Sequence, residues 1–226
     1  MFSLFRRSAR RRDELERRRL YIEGYSFPPA LRERIAAHSD LALTSSQLSL
    51  ALDGLRAWFV ACLYADGKTL GMPSRAVDVA WHEFILMTRE YQSFCDEAFG
   101  YYLHHTPEQT MSEPMPAALQ RTLLATDRQP AFTAYAGIPL LFALDSQLGL
   151  TDGQTWTQED LDQLRAEESG GGSFTGFWGG DGSGSGDRSG SGGGSGDGGG
   201  SGDEGGSSCG GGASCGGGGG CGGGSG

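Results

Sequence analysis

Apolar side chains in residues 48–63 recur at steps of three and four, the spacing that places them on one face of an α-helix. Just before this pattern, Thr44 is followed three residues later by Gln47, which is the signature of a capping box at a helix N-terminus. The pattern predicts an amphipathic helix of about 17 residues. Its expected core-facing positions are Leu48, Ala51, Leu52, Leu55, Trp58, Phe59, Cys62 and Leu63.

A second helical pattern follows the turn residues at 67–73, with Ser74 in the N-cap position. Cys95 lies in the middle of its apolar stripe, so we interpret it as a small buried side chain rather than a nucleophile. Gly100 is suited to end the helix, after which residues 101–107 could fold back. At ~100° per residue, the stripe comprises Val77, Trp81, Phe84, Thr88, Tyr91, Cys95, Phe99 and Tyr102.

The rest of the chain also favours helices, and no segment has a convincing strand alternation. Shorter helices are predicted at 29–37, 116–125, 138–148 and 158–167, the last of them capped by Thr157. The predicted fold is therefore all-α. We expect a single compact helical domain at residues 21–168, after a basic N-terminal arm at residues 1–20 and before a Gly/Ser/Cys-rich tail at residues 169–226.

Glycine is concentrated in the tail. Of the 40 glycines in the chain, 32 lie within residues 170–226. Glycine loses the most backbone entropy on ordering and offers no apolar side chain to bury. The tail is therefore predicted to be disordered, and the foldable part of the chain to end near residue 168.

Charge is divided along the chain. Residues 1–20 contain eight arginines and three acidic residues, whereas the whole chain has a formal net charge of -10. An acidic body repels phosphate, so we expect no nucleic-acid partner. The basic arm, with Phe2 and Phe5 beside its arginines, could make a weak contact with an anionic membrane surface.

No apolar run has the length of a membrane span, so no transmembrane segment is predicted. The opening residues lack the apolar region of a signal peptide, which favours a cytoplasmic location. In that reducing compartment Cys62 and Cys95 should be free thiols.

Asp78 and His82 are the first candidates for chemistry. They are four residues apart on one helix, so the carboxylate can accept a hydrogen bond from the imidazole and orient it. In a metal site, such as a zinc site, His104 or His105 would add a further ligand. In a structural site, the Asp and His would simply satisfy each other at the edge of the core.

The metal hypothesis requires a turn in the chain. His82 and His104 would be about 33 Å apart on one unbroken helix. A turn at Gly100 would remove this separation and bring residues 101–105 back toward Asp78.

The segment V-D-x-x-W-H, followed by a tyrosine, a cysteine and F-G, resembles the signature region of the glycine-rich domain protein family, known from plants and with bacterial relatives. The resemblance extends over about residues 40–150. It implies a domain boundary more than an activity, because members are mostly of unassigned biochemistry. Many plant members have a second histidine where this chain has Phe84. The matching positions are Val77, Asp78, Trp81, His82, Tyr91, Cys95, Phe99 and Gly100.

Three cysteines recur at six-residue steps in the tail: Cys209, Cys215 and Cys221. This spacing is wider than that of a zinc knuckle. On a flexible chain the three thiols could still capture a soft metal ion such as Cu(I) or Zn(II). The alternatives are a tail whose Ser and Cys are modified, and a disordered tail with exposed thiols.

The sequence contains no nucleophile motif, phosphate loop or paired-carboxylate signature. We therefore predict a helical binding or interaction module with a protein partner. The alternative is a metal-dependent enzyme or metal-binding protein that uses Asp78 and His82 with His104 or His105.

Overall fold

The computed structural model describes residues 2–39, 41–107, 110–129, 132 and 135–166. These residues form eight α-helices and no strand, which confirms the predicted all-α fold. The predicted disordered tail, with its three cysteines, lies outside the described residues. The helices are α1 (Phe2–Glu23), α2 (Pro29–Ala36), α3 (Ser45–Ala65), α4 (Arg75–Leu86), α5 (Thr88–Ala98), α6 (Met115–Thr126), α7 (Leu140–Leu148) and α8 (Gln158–Ala166).

Helix α3 is the centre of the fold and packs against α1, α4, α6 and α7. The predicted capping box is present: Gln47 N donates to Thr44 Oγ1 at 3.3 Å, and Thr44 N donates to the Gln47 side chain at 2.9 Å. By length and composition, α3 is the one helix among the described residues that could cross a membrane. Eleven of its residues are buried against the other helices, which accounts for its apolar composition within a folded core.

An aromatic cluster surrounds Phe59 of α3. The Phe59 ring centroid lies 4.7 Å from that of Phe94 and between 6.2 and 6.3 Å from those of Trp81, Phe84 and Phe99. Four of these five side chains come from the predicted apolar faces of α3 and of the segment that follows Ser74. The cluster joins α3 to α4 and α5 in one core.

The second helical segment is interrupted, contrary to the prediction of one helix up to Gly100. Met87, with φ -85° and ψ 64°, separates α4 from α5. Thr88, the first residue of α5, is exposed instead of facing the core. Val77, Trp81, Phe84, Tyr91, Cys95 and Phe99 are buried as predicted.

The N-terminal helix extends beyond the basic arm predicted at residues 1–20. Helix α1 continues to Glu23 and packs on α3 and α5, and Ile22 is fully buried. The predicted boundary between arm and domain, at residue 20, therefore falls inside α1. Arg18 of α1 donates a hydrogen bond to the Phe99 carbonyl oxygen, which fixes the C-terminal end of α5.

Cys62 and Cys95 are both buried free thiols, as the sequence predicted. Burial raises the pKa of both thiols, which lowers the fraction of reactive thiolate.

We expect each to react with iodoacetamide at least about tenfold more slowly than Cys209, as followed by peptide mass spectrometry. The same reaction in denaturant is the control, in which the rates should converge. Equal rates in the native protein would contradict this prediction.

Candidate metal and ligand site

A cavity of about 420 Å³ opens beside the first turns of α4. Its wall combines the loop before α4, the extended segment after α5 and residues near Asp152. Asp78 and His105 contribute polar groups to this wall, and Trp81 contributes an apolar surface. Volumes of about 300 to 1,000 Å³ are typical of small-molecule pockets, so this cavity is suited to a small ligand.

Three side chains meet at the edge of this cavity. His105 Nε2 lies 3.1 Å from Asp78 Oδ1, and His82 Nδ1 lies 3.4 Å from Asp78 Oδ2. One ligand atom from each of the three residues lies within 4.8 Å of the other two. His82 Nδ1 is also 2.8 Å from the Asp78 carbonyl oxygen. The carboxylate therefore faces two imidazoles, whose ring centroids lie 4.2 Å apart.

The local backbone explains how these groups meet. Ser74 caps α4 by accepting from Val77 N at 3.3 Å, which places Asp78 in the first turn of the helix. Gly100 has φ 78°, a left-handed conformation that glycine adopts without strain, and it turns the chain after α5. Residues 101–107 then run back along α4.

The returning segment is anchored by Tyr91. The buried Tyr91 hydroxyl donates to the Leu103 carbonyl oxygen at 2.6 Å and accepts from Trp81 Nε1 at 2.9 Å. Burial raises the pKa of this hydroxyl, which keeps it protonated as a donor. Two residues further on, the His105 ring packs on Trp81 at 4.8 Å between centroids.

The sequence left open whether His104 or His105 would join Asp78 and His82, and the structure distinguishes the two. His105 completes the group with Asp78 and His82. His104 is exposed, contacts the Tyr102 ring at 4.8 Å between centroids and lines the cavity without joining that group.

A buried carboxylate that the sequence analysis missed holds the start of α4. Asp145 of α7 is 1% exposed and accepts four hydrogen bonds: from Ser74 Oγ at 2.6 Å, Arg75 N at 2.7 Å, Ala76 N at 3.2 Å and Gln154 N at 2.8 Å. A carboxylate is favourable at a helix N-terminus, where backbone N–H groups lack partners. The signal was a single Asp within the apolar sequence LLFALDSQL.

A second missed cluster joins α2 to α4. Glu83 accepts from His38 Nε2 at 2.8 Å and pairs with Arg34 at 2.6 Å. Burial of the carboxyl is the largest single influence and raises its pKa. The hydrogen bonds and charges of His38 and Arg34 together outweigh burial and hold the pKa of Glu83 below its ordinary value.

We expect Glu83→Gln to cost about 1 to 2 kcal/mol at pH 7. A lowered carboxyl pKa gives stability that is present above the unfolded-state pKa, near 4.3, and is lost as pH falls through the folded-state value. The difference between wild type and variant should therefore shrink below about pH 4.5, as measured by urea unfolding across pH. Glu33→Gln, at an exposed position of α2, is the matched control. A difference in the free energy of unfolding between wild type and Glu83→Gln that stays constant with pH would contradict a lowered pKa for Glu83.

In the described part of the chain, eight helices with α3 at their centre, and a small cavity at the start of α4, define the class of protein as an all-helical module. The chain belongs to the UCP032817-like family, whose model matches residues 17–176. No curated protein and no solved structure matches the chain.

The family match corrects the resemblance drawn from the sequence. The matched family is UCP032817-like, and nothing indicates membership of the glycine-rich domain protein family. The V-D-x-x-W-H positions have a structural explanation within this chain. Val77 and Trp81 fill the core, while Asp78 and His82 lie at its edge.

Proposed function

We propose that this helical module is a binding module that holds a divalent transition-metal ion, such as zinc, through Asp78, His82 and His105. The proposal depends on one observation: a carboxylate oxygen and two imidazole nitrogens lie within 4.8 Å of one another. Two imidazoles and a carboxylate form a donor set that suits zinc, iron and other first-row metals.

The distances within the group support the proposal. Metal–ligand bonds near 2.1 Å separate two ligand atoms by about 3.0 Å at a right angle and about 3.4 Å at a tetrahedral angle. The distance between Asp78 Oδ1 and His105 Nε2, 3.1 Å, falls within this range. His82 Nδ1 donates to the Asp78 carbonyl oxygen at 2.8 Å, so its half-exposed ring must rotate to present a ligand atom to the ion.

A structural Asp–His pair is the competing explanation. Asp78 and His82 are 37% and 50% exposed, and ion pairs at such positions contribute at most about 1 kcal/mol. Three convergent ligand atoms are therefore poorly explained by stability alone. Asp78 and His105 also line a cavity, which gives a bound ion access to a further ligand.

No observation favours the metal-dependent enzyme. The proposed function is binding. The predicted protein partner, the cytoplasmic location and the weak membrane contact of the N-terminal arm stay predictions from the sequence.

The test is metal affinity of the full chain after treatment with chelator. Zinc should bind one site per chain when Cys209, Cys215 and Cys221 are replaced by serine, as measured by calorimetry. His82→Ala and His105→Ala should each lower the affinity by at least about tenfold. His104→Ala is the matched control, because the neighbouring imidazole lies outside the group, and it should bind as the parent does.

Two outcomes would overturn the proposal. One is the absence of zinc, iron or cobalt binding by the cysteine-free chain. The other is binding that survives in the double variant His82→Ala/His105→Ala, which would place the metal elsewhere.

A further inference from the structure

We infer that the cavity beside the proposed metal site binds a small organic carboxylate. In this arrangement the carboxylate group of the ligand completes the coordination of the metal ion, and its apolar body fills the cavity. The inference rests on the proposed function and specifies the class of ligand that the site would take.

The cavity has two kinds of wall. Asp78 and His105 lie on the side of the proposed metal, with His104 beside them. The remaining lining contains polar residues such as Thr69 and Gln154 together with an apolar part formed by Leu70, Met72, Trp81, Leu103 and Met115. A pocket with one polar side and an apolar body favours a ligand that has one polar end and an apolar body. Methionine side chains also adapt to ligands of different shape.

The size of the cavity sets the size of the ligand. At about 420 Å³ it lies toward the lower end of small-molecule pockets. Three protein ligands leave at least one position open on a four-coordinate metal. A short monocarboxylate can reach that position with its oxygen while its chain contacts the apolar wall.

The charged groups on the cavity lining determine whether an anionic or a cationic ligand is favoured. Lys68 and Arg75 lie on the lining, as do Asp78 and Asp152. Without a metal ion these four charges cancel. A divalent ion at Asp78 makes the lining positive, which favours an anion. Arg75 is 3.5 Å from Asp152, so its charge is partly matched, whereas Lys68 is exposed at the cavity.

Lys68 makes the inference sharply testable because it is the only lysine in the chain. Lys68→Met removes the one lysine charge on the lining while keeping a side chain of similar length. It touches no proposed metal ligand. Its effect should therefore fall on the carboxylate and not on the metal.

The experiment uses the full chain with the tail cysteines replaced by serine and loaded with Co(II). Hexanoate is the probe and hexanamide is its uncharged counterpart. Hexanoate should change the visible absorption of Co(II), because its oxygen joins the coordination sphere. We expect hexanamide to bind at least about tenfold more weakly, and Lys68→Met to weaken hexanoate about threefold to tenfold with cobalt affinity unchanged.

A second variant tests the cavity itself. Met111→Trp adds bulk from a loop that carries no proposed metal ligand, and it should abolish hexanoate binding while Co(II) still binds. Should Met111→Trp fail to fold, the comparison of hexanoate with hexanamide on the parent protein decides the matter alone.

The outcomes separate the two proposals. Co(II) binding without any hexanoate effect would overturn the carboxylate inference and leave the metal site standing. Equal binding of hexanoate to the metal-free protein would also overturn the inference, since the carboxylate would not need the ion. Failure of Co(II) to bind would overturn both.

Discussion

Replacement of Asp145 by alanine is expected to lower the free energy of unfolding by about 3 to 5 kcal/mol. Its carboxylate is 1% exposed and accepts four hydrogen bonds, three of them from Ser74, Arg75 and Ala76 at the start of α4. Alanine would remove the common acceptor of these donors and of Gln154 N, where Ser74 and Ala76 are buried and Arg75 and Gln154 are half-buried. Urea unfolding followed by far-ultraviolet circular dichroism measures the loss.

Asp162→Ala is the matched control for Asp145→Ala. Asp162 is also on a helix and also accepts hydrogen bonds, but its side chain is 65% exposed, so water replaces the lost contacts. The control should change stability by less than about 0.5 kcal/mol. A loss below about 1 kcal/mol in Asp145→Ala would show that water enters and satisfies the four donors.

The effect of Asp145 should extend to the candidate site. The carboxylate holds the first turn of α4, and Asp78 lies in that turn. A looser first turn would move Asp78 relative to His105, whose segment is held separately by Tyr91. At the proposed metal site, stability and metal affinity are therefore expected to be coupled through the start of one helix.

Most of the helical framework could be predicted because its signals are local. The apolar period of α3 and the Thr44 and Ser74 caps depend on residues within one or two turns. The break at Met87 could not be predicted in this way. The apolar stripe continues through it with only Thr88 out of place, so periodicity alone favoured one helix.

The candidate site was only half visible in the sequence. Asp78 and His82 share a helix, and their contact follows from the four-residue step. The choice of His105 over His104 depends on how the returning segment is anchored at Leu103, which is a tertiary contact. Asp145 and Ser74 are 71 residues apart, so their pairing has no local signal at all.

Tyr91→Phe is expected to lower the free energy of unfolding by about 2 to 4 kcal/mol. The Tyr91 side chain is fully buried, and its hydroxyl joins Trp81 Nε1 to the Leu103 carbonyl oxygen. Phenylalanine keeps the ring packing and removes only the oxygen. Trp81 Nε1 would then be left unpaired in the core, at a cost of about 1 to 3 kcal/mol, and the half-buried Leu103 carbonyl would lose its donor.

The same substitution should weaken metal binding, because Leu103 positions the segment that carries His105 two residues later. We expect zinc affinity to fall about tenfold, as is typical when a group that orients a ligand is lost. Tyr135→Phe is the control: Tyr135 is 63% exposed, and its loss should alter neither stability nor zinc affinity. Unchanged stability in Tyr91→Phe would contradict the anchoring role. A loss of stability with full zinc affinity would instead assign the positioning of His105 to its ring contact with Trp81.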